Sequence, residues 1–123
     1  MTIGPGMTSS SNPSAEMAQK NNKDHVLPLE GEIDLHVSPR ISASLGAMID
    51  EKPKQVVVDL TNVSYIDSSG LAVLIEGMQN VEAYGGKFAL AGLQAKVRPI
   101  FEIARLDQVF RIFPDTAAAL AAT

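Results

Sequence analysis

A chain of 123 residues, 46% of them apolar and with a formal net charge of -4, has room for one domain with a buried core. Acidic and basic residues are interspersed, and two tyrosines, four phenylalanines and no tryptophan leave few stacking platforms, so nucleic-acid binding is not indicated. Zero cysteines exclude disulfides, thiolate metal sites and cysteine nucleophiles, and His25 and His36 alone do not suggest a histidine metal cluster; no cofactor is expected.

The segment from Met1 to about Lys23 holds Gly, Pro, Ser, Asn and Gln with no periodic apolar face. It is expected to be a disordered tail over residues 1–23, with residues 24–123 forming the domain. It lacks the charged start and apolar block of a secretory signal, and no later run approaches ~18 apolar residues. A cytoplasmic protein is expected.

His25 to Ile33 is predicted as a strand anchored by Val26, Leu27, Leu29 and Ile33, with Gly31 as a bend or bulge. Pro28 cannot donate to a ladder, so that strand must lie at an edge there or leave residue 28 unpaired. Ser38-Pro39 reads as an N-cap followed by proline at the first helical position, and Ile41, Leu45, Met48 and Ile49 give a helical stripe that should end near Lys52-Pro53. Val56, Val57, Val58, Asp59 and Leu60 have the β-branched content of a strand covered on both faces. From Leu71 the period changes, and Leu71, Leu74, Ile75, Met78 and Val81 share one side of a helix running to about Tyr84. Gly77 inside that helix weakens it unless it serves close packing.

Gly85-Gly86 breaks the chain before a short strand over Lys87 to Ala91, closed by Gly92. A helix over roughly Ala95 to Ala104 places Val97, Ile100, Phe101 and Ala104 on one face, with Pro99 tolerable only near the first turn. Val109 to Phe113 is predicted as a last strand, and Asp115 or Thr116 caps an alanine-rich helix. Strands alternating with helices imply an α/β fold: a mixed, mostly parallel sheet of about four to five strands with helices packed against it. Sites are expected near the carboxyl ends of the strands.

The join between the second strand and its helix, Ile66-Asp67-Ser68-Ser69-Gly70, is the segment that carries chemistry. The serines fall at a helix N-terminus, where unpartnered N–H groups and the macrodipole favour an anion, so a phosphorylated serine there could meet backbone donors. Local pattern alone favours a plainer role, with Asp67 or Ser68 as an N-cap. Gly70 either lets a partner or phosphate approach or frees the first turn. Asp67 orients the Ser68 hydroxyl, caps the helix, or does both. Asp34 is either a turn former or a partner contact. His36 lacks a second histidine or a spaced acid to orient it, so Ser-His-Asp chemistry has little support. Asp59 has no readable catalytic partner either.

These motifs, VVVDLTNVSYIDSSGLAVLIEG above all, with GEID at Gly31 to Asp34, the GGK turn at Gly85 and ARLDQVFRIFPD from Ala104 to Asp115, resemble the STAS domain family, in particular the bacterial anti-sigma factor antagonists. The resemblance spans about Val26 to the C-terminus and implies a partner-switching protein without catalysis of its own. It implies that Ser68, the first serine of D-S-S-G, is the phosphorylated residue, with Asp34, Asp67, Ser69 and Gly70 at the partner surface. The implied partners are an anti-sigma factor serine kinase, which holds the ATP, and a metal-dependent Ser/Thr phosphatase; neither direct nucleic-acid binding nor membrane insertion is expected. Asp59 resembles a structural residue of the family. Sporulation-type members begin with a hairpin that is not readable before His25, unless a segment around Glu16 to Lys20 pairs. The alternative within the same fold is a scaffold or accessory subunit of a stressosome-like or lipid-transport complex.

Overall fold

The computed structural model describes residues 24–122. The tail expected over 1–23 and the pairing segment around Glu16 to Lys20 lie outside the described residues. Within them the chain alternates strand and helix: β1 (Asp24–Ile33), α1 (Ser38–Ile49), β2 (Gln55–Ile66), α2 (Ser68–Ala83), β3 (Lys87–Ala91), α3 (Arg98–Ile103), β4 (Arg111–Phe113) and α4 (Thr116–Ala121), with a 3₁₀ turn at Leu106–Gln108. The four strands form one sheet in the order β1-β2-β3-β4, and all three pairings are parallel. The expected α/β architecture is found, with no antiparallel strand among the described residues.

Alternation along the inner strands divides the core in two. Val56, Val58 and Leu60 of β2, with Phe88 and Leu90 of β3, face α1, α2 and α3 and pack with Leu45, Leu74, Val81 and Phe101. Val57, Ala89 and Ala91 point to the other face, where Ala119 of α4 covers them. The register sets Val56 against Phe88, Val57 against Ala89 and Val58 against Leu90, so each layer is continuous across the strands. Val56, Val57 and Val58 are all 0% exposed, as a strand covered on both faces requires. Gln55 is buried too, and its side-chain amide donates to the Ala119 carbonyl at 2.7 Å, which ties α4 to the start of β2.

Pro28 sits on β1, an outer strand of the sheet as described, and the β1–β2 register shifts between Pro28 and Glu30 and again between Gly31 and Glu32. Gly31 has φ 75°, so the bend expected there coincides with a left-handed backbone that glycine adopts without strain. Pro99 falls in the first turn of α3, and Asp115 caps α4 by accepting the Ala118 N–H at 2.8 Å.

Several boundaries differ from the sequence expectation. Val37, not Ser38, is the N-cap of α1, and it makes no side-chain cap bond; Ser38 is inside the helix and buried. α1 stops at Ile49, short of Lys52-Pro53, and Lys52 turns the chain at φ 53°. β2 continues past Leu60 to Ile66 because it keeps pairing with β1 after β3 has ended. Ala104 is exposed and follows α3, and β4 begins at Arg111, since Val109 is 51% exposed while Phe110 turns into the core.

Gly77 shows why a glycine is kept inside α2. A Cβ there would stand 2.6 Å from Leu45 Cδ2 and 3.3 Å from Phe88 Cε2, so α1 crosses α2 at a place with no room for a side chain. Gly77→Val is expected to cost about 1–3 kcal/mol through overpacking, read as a lower urea midpoint with the same slope. An unchanged midpoint would show that the α1–α2 contact is looser than this geometry.

Candidate functional site

β2 delivers Ile66 to the core and then ends at Asp67, whose N–H donates to the Ile33 carbonyl at 3.0 Å. That bond places the loop after β1 beside the start of α2, at the carboxyl ends of two neighbouring parallel strands. Asp67 has extended backbone angles and is the N-cap of α2. Its Oδ1 accepts the Ser69 N–H at 2.9 Å, the Gly70 N–H at 3.2 Å and the Ser69 hydroxyl at 2.6 Å. The Ser69 hydroxyl, with further support from the Gly70, Ser69 and Leu35 N–H groups, holds the Asp67 carboxyl below its ordinary 3.8 despite an opposing cost of partial desolvation.

The adjacent serines differ. Ser68 is the first residue of α2 and is exposed, and no described side chain engages its hydroxyl. Ser69 is half-buried and held on two sides, by Asp67 and by the Ser38 hydroxyl at 2.7 Å. Asp67 therefore caps the helix and orients Ser69; the expected orientation of the Ser68 hydroxyl by Asp67 is not found. The expected cradle of free N–H groups is also corrected. The Ser69 and Gly70 donors are already taken by the Asp67 carboxylate, which is the resident anion of this helix end.

Gly70 is buried, and a Cβ on it would meet Ile66 Cγ1 at 2.6 Å and Ile33 Cγ2 at 2.7 Å. The close approach it permits is that of the protein's own core. Asp34 is half-buried and shapes its turn: its carboxylate accepts the His36 N–H at 3.0 Å, and its carbonyl accepts the Val37 and Ser38 N–H groups. This loop abuts the Asp67 turn through Ile33 and Leu35, so the structure brings Asp34, Asp67, Ser68, Ser69 and Gly70 to one end of the sheet.

Two apolar side chains at this end were not singled out in the sequence. Leu35, in the loop, is 71% exposed, and Tyr65, two residues before Asp67, is 47% exposed. Alternation counted from the inward Val63 would have turned Tyr65 to the core; the register shift opposite Gly31 and Glu32 breaks the alternation, so that Val63 and Ile66 are buried and Tyr65 is left outside. Asp59 holds the Thr61 N–H at 3.0 Å and the Thr61 hydroxyl at 2.6 Å, as a structural residue would. His25 lies elsewhere and pairs with Glu51 at 3.1 Å, and His36 is exposed. Among the described residues no three His, Asp or Glu side chains converge as metal ligands, and no helix is long and apolar enough to cross a membrane.

Comparison with known proteins agrees with this geometry. The anti-sigma-B factor antagonist of Listeria monocytogenes is 29% identical over 95 residues, covering 76% of this chain and 83% of that protein. The crystal structure of an anti-sigma factor antagonist from Mycobacterium paratuberculosis superposes with a TM-score of 0.72 at 28% identity, over 79% of this chain and 82% of that one. The fold also matches the phosphorylated form of the Bacillus cell fate determinant SpoIIAA, with a TM-score of 0.61 at 23% identity, over 80% of this chain and 89% of that one. The STAS domain model matches residues 15–119, and this chain belongs to the STAS domain family.

Proposed function

We propose that this chain is a cytoplasmic anti-sigma factor antagonist that works by partner switching and is regulated by phosphorylation of Ser68. Unphosphorylated, it binds an anti-sigma factor that is itself a serine kinase, and so releases a sigma factor. The observation that carries this reading is the asymmetry of two neighbouring hydroxyls: Ser68 is exposed and unengaged, whereas Ser69 is bound on both sides. A kinase can reach the first without unwinding the helix. The likeness to named anti-sigma factor antagonists supports the same reading.

The chemistry asked of this chain is small. The Ser68 Oγ attacks the γ-phosphorus of ATP held by the kinase; its proton passes to a base of the kinase, the bond to the bridging oxygen breaks, and ADP leaves. A Ser/Thr phosphatase restores the hydroxyl by hydrolysis: water attacks phosphorus, the ester P–O bond breaks, the Ser68 oxygen takes a proton, and inorganic phosphate leaves. This chain supplies a nucleophile and a surface, and no catalytic base.

The surface consists of the Ser68 turn, with Asp67, Ser69 and Gly70, and the loop that carries Asp34 and the exposed Leu35, with Tyr65 alongside. Leu35 and Tyr65 supply the apolar contact that a partner needs around a central hydroxyl. Phosphate adds about -1.5 to -2 charges at Ser68, one residue from an ionised Asp67. Because Asp67 already occupies the Ser69 and Gly70 N–H groups, those donors do not draw the phosphate into the helix. Desolvating that dianion against a carboxylate costs a few kcal/mol, which lowers affinity by about two orders of magnitude or more.

Incubation with ATP and the serine kinase encoded near this chain should add one phosphate to wild type and to Ser69→Ala, and none to Ser68→Ala, by intact mass. A gain that survives Ser68→Ala, or no gain with any active candidate kinase, would overturn the reading. Separately, the lowered pKa of Asp67 gives a pH dependence with a fixed sign. The carboxylate is favoured in the folded state, so its contribution is complete above the ordinary 3.8 and is lost as pH falls through the lower folded value. Wild type should therefore exceed Asp67→Asn in urea midpoint at neutral pH, and the gap should close on acidification below about 3.8. A gap that widens in acid would contradict the charged cap.

A further inference from the structure

Three short oxygen contacts run from the loop after β1 to the cap of α2. The Ser38 hydroxyl lies 2.8 Å from the Asp34 carbonyl and 2.7 Å from the Ser69 hydroxyl, which lies 2.6 Å from Asp67 Oδ1. Two hydroxyls carry two hydrogens, so three contacts cannot all be hydrogen bonds at once. The Asp34 carbonyl also accepts the Val37 N–H at 3.1 Å and the Ser38 N–H at 2.9 Å, so it keeps two partners if the Ser38 hydrogen turns to Ser69. The Asp67 carboxylate is charged and draws the shorter, stronger bond. With the Ser69 hydrogen on Asp67, the Ser38 hydroxyl has the Asp34 carbonyl and Ser69 Oγ both within reach of its single hydrogen, and so lies against both segments.

The origin of this chain of contacts is sheltered, since Ser38 is 4% exposed. It joins two segments that are 31 residues apart in sequence and that flank Ser68: the loop with Asp34, Leu35 and His36, and the first turn of α2.

We propose that Ser38 is a positioning residue of the switch: acting through Ser69 and Asp67, its hydroxyl fastens the β1–α1 loop to the first turn of α2, so that both meet a partner as one preformed surface. The proposal rests on the reading of Ser68 as the phosphoacceptor. A preformed surface lowers the ordering cost of association, so losing the hydroxyl raises the KM of the kinase for this chain and leaves kcat nearly unchanged.

The test uses the full chain as wild type, Ser38→Ala, Ser69→Ala and the double variant. Amide hydrogen exchange is followed in the free proteins, and phosphorylation is followed with ATP and the serine kinase that modifies Ser68. Ser38→Ala should speed exchange about threefold to tenfold at Leu35 to Val37 and also at Ser69 and Gly70, and should raise KM by a similar factor. In the Ser69→Ala background, Ser38→Ala should change neither reading further, because the chain is already cut. Faster exchange confined to the loop, additive effects in the double variant, or an unmoved KM would overturn the proposal. If no kinase modifies Ser68 in wild type, the functional reading fails on its own. The exchange cycle then still decides the fastening: coupled exchange upholds it and independent exchange overturns it.

Discussion

β2 has to be buried on both faces, and the rest of the domain follows from that constraint. Three consecutive valines are wholly removed from water, which no single layer of helices can achieve for side chains that alternate direction. Val56 and Val58 need α1, α2 and α3, and Val57 needs α4. Each fully buried valine contributes on the order of 1.5–3 kcal/mol, so the sandwich of helix, sheet and helix is the arrangement that keeps all three. The same strand, prolonged past the end of β3, is what places Asp67 at the carboxyl end of the sheet. The position of the proposed switch is a consequence of how the core closes.

At that end, one carboxylate decides what each serine can do. Asp67 satisfies the Ser69 and Gly70 N–H groups and takes the Ser69 hydroxyl, so the helix needs nothing further from Ser68. An exposed hydroxyl with no structural duty can be esterified without removing a bond that the fold uses. Gly70 is held by the opposite demand, since Ile33 and Ile66 fill the space where its side chain would stand. Within four residues the chain thus passes from cap, to free nucleophile, to clasped hydroxyl, to core. A substitution at Ser68 is expected to leave the fold alone, whereas one at Gly70 reaches the centre of the domain.

The periodic features of the sequence were enough to recover the order of elements, because long apolar patterns at Val56 to Leu60 and Leu71 to Val81 leave few ways to be buried. The D-S-S-G turn was legible for the same reason: an acid followed by hydroxyls between two periods marks a helix start. What was not legible depends on pairs distant in sequence. Ser38 beside proline looks like a cap, and nothing local says that its hydroxyl crosses to Ser69. Gly70 looks like an opening for a partner until Ile33 arrives from another strand. The free donors expected at the α2 N-terminus were lost to Asp67, an effect of side-chain rotamer rather than composition. Short elements also strayed: β4 has three residues, and its start depends on whether Val109 or Phe110 turns inward.

How a phosphate on Ser68 would act, in the proposed reading, follows from where its charge can go. A switch that unfolded the domain would have to overcome a stability of about 5–15 kcal/mol, as is usual for single domains. A switch that only spoils an interface needs a few kcal/mol, which a buried dianion next to a carboxylate readily supplies. The structure favours the smaller cost. Among the described residues no side chain engages the Ser68 hydroxyl, and Asp67 holds the Ser69 and Gly70 N–H groups that would otherwise draw a phosphate inward. In the proposed reading, the new charge would be left on the surface between the β1–α1 loop and α2, where a partner would have to exclude water in order to bind. A cap that is complete before modification would keep the domain the same in both proposed states and make the difference between them a matter of contact.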